Sequence, residues 1–323
     1  MREADKLLRS FDPGRTMKRD SPSEKDALLE RILMTPQQNP PGARRGRRNL
    51  FIAVTTAACV VAVGIGLLDS PVQQSAYAAT PPPLKVVSQA PVPAATVLER
   101  IARQVEHVRE AAPAGGKERF VQETWSLETR IGGQQITSAV VPERRETTKD
   151  AEGNLAWSVR AKKPEFQDDE QREAWESQWA EVDEPTQVSG SEKASGEPPS
   201  GLNQMREWLM QRSPADTAGF ISESLIEKSM TNHFAPKQRA AVLRVLAERK
   251  GLAYSGTAVD REGRPGVAFT IASSSTGLPA KHTIVIDEDS GKLLSYEKML
   301  TGNPGQLKVK TPAVINYVSF LQG

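Results

Sequence analysis

Cysteine is almost absent. The single Cys59 excludes an intramolecular disulfide and any thiolate metal cluster. Histidine is nearly as scarce, with His107, His233 and His282 far apart in the sequence and no His-Glu-x-x-His among them. Aromatics make up only 5% of the chain. Charge of one sign is lacking too: 42 Lys and Arg against 40 Asp and Glu leave a net +2, which excludes a globally basic nucleic-acid binder. The 323 residues are enough for about two domains.

The even average hides an uneven distribution. Leu50 to Leu68 carries no charge. Nineteen helical residues at ~1.5 Å rise reach about 28 Å, close to the ~30 Å of a hydrocarbon core. Arg44, Arg45, Arg47 and Arg48 crowd its N-terminal side. Residues 1–49 are net +5 and residues 69–323 net −3. Basic residues beside a span stay in the cytoplasm, so the pattern predicts a signal-anchor: a single-pass cell-membrane protein, N-terminus cytoplasmic and C-terminal domain extracytoplasmic. The lipid bilayer is thus the first partner. Ala76-Tyr77-Ala78 fits a small-residue cleavage site, so the alternative is a secreted protein cut near Ala78. Cys59 follows Thr56-Ala57-Ala58, a poor lipidation context, and reads as a small apolar residue of the span. Ala58, Ala62 and Gly66 form a small-residue stripe that allows a weak homodimer.

Before the span, Ser21-Pro22-Ser23-Glu24 opens a short helix to about Met34. One such helix cannot bury a core. It is a loose tail or a docking element, residues 21–34, for a cytoplasmic protein. Beyond the span, residues 69–94 hold six prolines and predict an extended spacer of about 80 Å.

Residues 95–323 predict an extracytoplasmic α+β domain with a mainly antiparallel sheet and packed helices. Thr96-Val97-Leu98-Glu99 is a capping-box pattern opening a helix to about Ala112. Strand patterns follow at 120–130, 134–141, 143–148 and 155–161, with Gly132-Gly133 and residues 150–154 as turns and Pro142 marking an edge or bulge. Residues 162–200 turn polar, with a helix-compatible stretch bearing Trp175 and Trp179 and a mobile loop from Thr186 to Ser200. Helical patterns resume at Leu202, Gly219 and Pro236. Strands follow at 253–260, 266–273, 282–287 and 292–300, and Val314–Leu321 supplies a last one. Such a sheet under helices can hold an apolar ligand, in the manner of periplasmic lipoprotein-carrier and sigma-regulator sensor folds.

No motif brings catalytic chemistry together. There is no Gly-x-Ser-x-Gly elbow, no phosphate loop, and no EF-hand spacing around Asp168-Asp169-Glu170. His282 lies on a strand with Asp287 nearby. The sequence offers no catalytic, cofactor-binding or metal residues and no cofactor; it predicts a non-enzymatic envelope protein whose outer domain binds a ligand or protein, with no nucleic acid.

The arginine-flanked span followed by Ser75-Ala76-Tyr77-Ala78-Ala79-Thr80-Pro81-Pro82-Pro83-Leu84, then Pro236-Lys237-Gln238-Arg239-Ala240-Ala241, Asp260 through Gly266-Val267-Ala268, and Ile286 through Leu294, resembles a family of actinobacterial single-pass membrane proteins of uncharacterised function. The resemblance implies an association with sigma-factor regulation and supplies no catalytic residues. It makes a transmembrane, anti-sigma-like regulator the main alternative. The zinc-type His-x-x-x-Cys-x-x-Cys cluster is missing, since no His or Cys precedes Cys59.

Overall fold

The computed structural model describes residues 80–110, 117–132, 135–166, 169–179, 187–194, 196–211, 217–274, 277–305 and 307–322. These belong to the larger of two compact units, Ile52–Gly323. The tail, its 21–34 segment and the Leu50–Leu68 run lie outside the described residues. Among the described residues no helix is long and apolar enough to cross a membrane.

The chain forms, in order, β1 (Val86–Val87), α1 (Ala94–Glu106), β2 (Glu118–Gly132), β3 (Gln135–Lys149), β4 (Asn154–Ala161), α2 (Asp169–Trp179), β5 (Gln187–Lys193), α3 (Leu202–Met210), α4 (Ala218–Ser229), α5 (Pro236–Ala247), β6 (Leu252–Val259), β7 (Pro265–Ser273), β8 (Ala280–Ile286), β9 (Leu293–Leu300) and β10 (Ala313–Gln322). The ten strands make one sheet in the order β1-β6-β7-β8-β9-β10-β2-β3-β4-β5. Every pairing in it is antiparallel. The α+β class with an antiparallel sheet is therefore as the sequence predicts. Two meanders, β2–β5 and β6–β10, are joined by β10, which pairs β9 on one side and β2 on the other.

Period-two alternation assigns each strand residue to a face. Val267, Phe269 and Ile271 of β7, Ile284 and Ile286 of β8, Tyr296 of β9 and Val318 of β10 share the face that carries helices. Onto it pack Leu98, Ile101 and Val105 of α1, Met205 and Leu209 of α3, Ile221 and Leu225 of α4, and Leu243 and Leu246 of α5. In α1 the buried positions 94, 97, 98, 101, 102 and 105 recur at three- and four-residue steps, the stripe of an amphipathic helix. Truncating a fully buried side chain such as Leu98 or Ile101 to Ala costs about 2–5 kcal/mol. The bidentate ion pair Arg244–Glu106 ties α5 to the last residue of α1, and Arg239–Glu110 ties it to the segment that follows α1. The apolar face that the sequence reading offered to an apolar ligand is thus occupied by the protein's own helices.

Several expectations change in detail. Thr96 does not cap α1: the helix begins at Ala94 behind Pro93, whose carbonyl accepts Thr96 N–H, so Thr96 already lies inside the first turn. Residues 187–193, expected within a mobile loop, form edge strand β5 paired along β4, from Asn154↔Lys193 to Arg160↔Gln187. Gly190 lets β5 approach, since a Cβ there would sit 2.6 Å from the Trp157 ring. Pro142 neither breaks nor bulges β3. The β4 ladder covers only 143–149, and at Pro142 the outer edge passes to residues 162–165, so its missing N–H falls where the ladder changes partner. Trp175 of α2 is 0% exposed against β3, with the Phe166 ring edge-on at 5.8 Å, so this stretch packs on the sheet. Finally, the described end of the Pro-rich spacer joins the sheet through β1.

Candidate functional site

The sheet face turned away from the helices carries a polar cluster at its middle. Alternation puts Ser295 and Glu297 of β9, Tyr317 and Ser319 of β10, and Trp125 of β2 on this face. What orders them is the β6–β7 turn.

That turn is built by Asp260. Its Oδ1 accepts the N–H groups of Glu262 (3.0 Å) and Arg264 (2.9 Å), and Oδ2 accepts Arg264 Nε (2.8 Å) and Nη2 (2.6 Å). Such local carboxylate-to-amide bonds are the reason Asp starts tight turns. Arg264 then reaches across the sheet, donating to the carbonyls of Leu294 (2.8 Å) and Phe320 (2.6 Å) and to Ser319 Oγ (3.2 Å). The turn is pinned over β9 and β10 by a charged group whose donors meet acceptors on both strands.

Pinned there, Arg261 lies over two rings. Its guanidinium carbon is 4.9 Å from the Trp125 ring centre and 4.7 Å from that of Tyr317, and the two rings stack at 5.4 Å. Cation–π contacts of this kind add about 0.5–2 kcal/mol each. Arg261 N–H donates to the Tyr317 hydroxyl (3.1 Å). Arg261 Nη2 donates to Glu297 Oε2 (2.8 Å) and to the Pro82 carbonyl (2.7 Å). Glu297, its side chain 2% exposed, accepts the Leu84 N–H on both oxygens (3.2 and 3.1 Å). Burial pushes the Glu297 carboxyl up from its ordinary value, opposed by the Leu84 amide and Arg261. Burial likewise pushes Tyr317 up.

The segment 82–87 crosses this cluster. Leu84 and Val86 pack on Ala258, Ala268, Val285 and Leu294, and Val86 and Val87 pair with Ala258 and Thr257 of β6. Gly256, at φ +120°, makes the approach possible, because a Cβ there would collide with the Val87 carbonyl. A glycine inside a strand pattern is the sequence signal for such a close backbone approach. Glu297 and Arg261 carry no comparable signal, since the contact joins positions 36 apart in the chain.

Chemically, this is a main-chain clamp. Arg261 donates to a carbonyl and Glu297 accepts an N–H two residues further on. Both carboxylate oxygens face donors.

The histidines do not converge. His107 is the exposed C-cap of α1. His233 sits edge-on to Phe120 at 4.4 Å, its residue otherwise exposed, and burial of the ring lowers its pKa. His282 is 0% exposed on the helix-covered face, with Nδ1 2.8 Å from the Tyr296 hydroxyl and Nε2 without a partner. Burial, and after it Lys298, lower its pKa to about 4. The pairing with Asp287 does not form. An odd spacing of five sends strand side chains to opposite faces, and Asp287 instead accepts Ser290 N–H and hydroxyl in the β8–β9 turn. Among the described residues no group of three or more His, Cys, Asp or Glu is placed to hold a metal ion.

No protein-family model matches this chain, and no curated protein is similar to it.

Proposed function

We propose that the chain is a non-enzymatic, single-pass membrane protein whose C-terminal domain is an extracytoplasmic binding module. The observation that carries this reading is the charge-free run Leu50–Leu68 behind four arginines, which fits a cytoplasmic N-terminus and an exported remainder. The chemistry of the described cluster supports the rest: Arg261, Arg264 and Glu297 are engaged in holding main chain. The apolar sheet face is filled by α1, α3, α4 and α5, which favours a polar ligand or protein surface over an apolar ligand. The β2–β5 half offers such a surface, with Arg119, Glu123, Arg144, Glu146 and Lys162 interlinked on one face and Arg145 over Trp157 on the other.

Alkaline carbonate washing of membranes tests the anchor. Full-length protein is expected to stay in the pellet, and external protease on protoplasts is expected to remove the C-terminal domain. Release of full-length protein, or of a form beginning near Ala79, overturns the anchored reading, the latter in favour of secretion. The anti-sigma-like alternative rests on the Ser21–Met34 helix pattern. It requires residues 1–49 on the intact protein to retain a sigma factor, and loses its basis if a deletion of 21–34 leaves that retention unchanged.

A further inference from the structure

We infer that the seat beneath residues 82–87 is a binding site for an extended peptide, held closed by the chain's own strap. The seat has the parts such a site needs. One donor, Arg261 Nη2, meets a carbonyl, and one acceptor, Glu297, meets an N–H two residues on. The Ala258, Ala268, Val285 and Leu294 patch takes the alternate apolar side chains, Leu84 and Val86. The edge of β6 adds two ladder positions, and Gly256 leaves room for the incoming backbone.

The strap is the most weakly held part of this assembly. Pro82, Pro83, Lys85 and Val87 are exposed, and Leu84 and Val86 only half-buried, whereas Ile284 and Val285 beneath the sheet surface are fully buried. Segments with few buried contacts open at a small fraction of the global unfolding free energy. Tension from the Thr80 end would break the contacts one after another, first Pro82 with Arg261, then Leu84 with Glu297, then the β1 pairs. The released seat would present a carboxylate and a guanidinium beside Trp125 and Tyr317, while Arg264 keeps its bonds to β9 and β10. The strap supplies the ligand template: a proline-rich extended segment with apolar residues at alternate positions.

The test uses the full chain in detergent micelles, so it stands or falls independently of the membrane reading. A double variant, Leu84→Asp with Val86→Asp, puts charge into the apolar seat and disables the strap. A second variant, Val87→Cys with Thr257→Cys in a Cys59→Ala background, locks the strap by a disulfide between paired positions. The probe is a labelled peptide of the strap's own sequence, residues 80–89. The strap-disabled variant is expected to bind it at least about tenfold more tightly than the locked one, the difference made by about one charge-assisted hydrogen bond. Equal binding by both, or binding by neither, overturns the proposal. Hydrogen exchange keeps it falsifiable if a variant misfolds. In the wild type the Leu84 amide should exchange faster than the β8 amides yet slower than an unprotected one, and Glu297→Gln should speed it about tenfold while leaving β8 unchanged. Exchange of Leu84 together with β8, or no protection at all, overturns it equally.

Discussion

Neutralising the titration of His282 should remove a large part of the domain's acid sensitivity. His282 is fully buried, its Nδ1 faces the Tyr296 hydroxyl, its Nε2 has no partner, and Lys298 lies on the adjacent strand, ion-paired to Glu223 of α4. A proton added to the ring would stand beside one cation with no carboxylate of its own. Folding therefore lowers its pKa from 6.5 to about 4. A depressed histidine contributes stability that is fully present above the unfolded value and is lost as pH falls from about 6.5 towards the folded value. The difference of about 2.5 units corresponds to about 3 kcal/mol, most of it lost by about pH 4.5. The assay is urea unfolding followed by tryptophan fluorescence at about pH 7.5 and at about pH 4.5. Comparison is with His282→Asn, which keeps a polar atom near Tyr296 and does not titrate. His233 shifts in the same direction and Glu143 and Glu297 in the opposite sense, gaining stability as pH falls, but all three are present in both proteins and cancel in the difference. The wild type should lose about 2.5 kcal/mol more than the variant across this interval. Equal losses would refute the reasoning and show that the ring accepts its proton without disturbing the fold.

Two further outcomes follow from packing. Trp175→Ala empties the site between α2 and β3 and should cost about 3–5 kcal/mol by urea unfolding, with hydrogen exchange rising first in 162–179; a loss below about 1 kcal/mol would mean the helix is not docked. Gly266→Ala places a Cβ 2.7 Å from the Ile286 carbonyl oxygen and 2.8 Å from Val285, so β7 must shift from β8, at a cost of about 1–3 kcal/mol in thermal or urea unfolding; an unchanged midpoint would contradict the close approach.

Much of the fold was legible because its strands are long and alternate. Phe120 to Arg130, Gly266 to Ser273 and Val314 to Leu321 were all readable as strands, and each lies within β2, β7 or β10. The α1 stripe was readable too, but not its bounds: Pro93 overrode the capping signal of Thr96, and the helix ends at Glu106 with His107 as its C-cap rather than near Ala112. β5 was hidden by composition: Gln-Val-Ser-Gly-Ser-Glu-Lys has little apolar content, and its extended form comes from pairing with β4. β1 was hidden in the same way among prolines, its two valines being too short a pattern to separate from a spacer. The clamp was out of reach altogether. Alternation says that Glu297 and Tyr317 each face one side of a strand, but it cannot say that a turn 36 residues upstream of Glu297 will bring Arg261 over both. The partnership of β10 with β2 is likewise a long-range fact that no local pattern encodes.

That last partnership bears on how the protein is made. Tyr317 lies opposite Trp125, so β2 has no neighbour on that side until the chain has been synthesised almost to residue 322. A growing polypeptide can assemble β2–β5 as a hairpin stack with α2 packed on β3, yet α1, α3, α4 and α5 wait for β7 to β10, and the two halves stay separate sheets with bare inner edges until β10 pairs with both. Closure over such a sequence distance is slow and leaves sticky intermediates. The interval before the final strand arrives is therefore when the unfinished product exposes most unpaired strand edge.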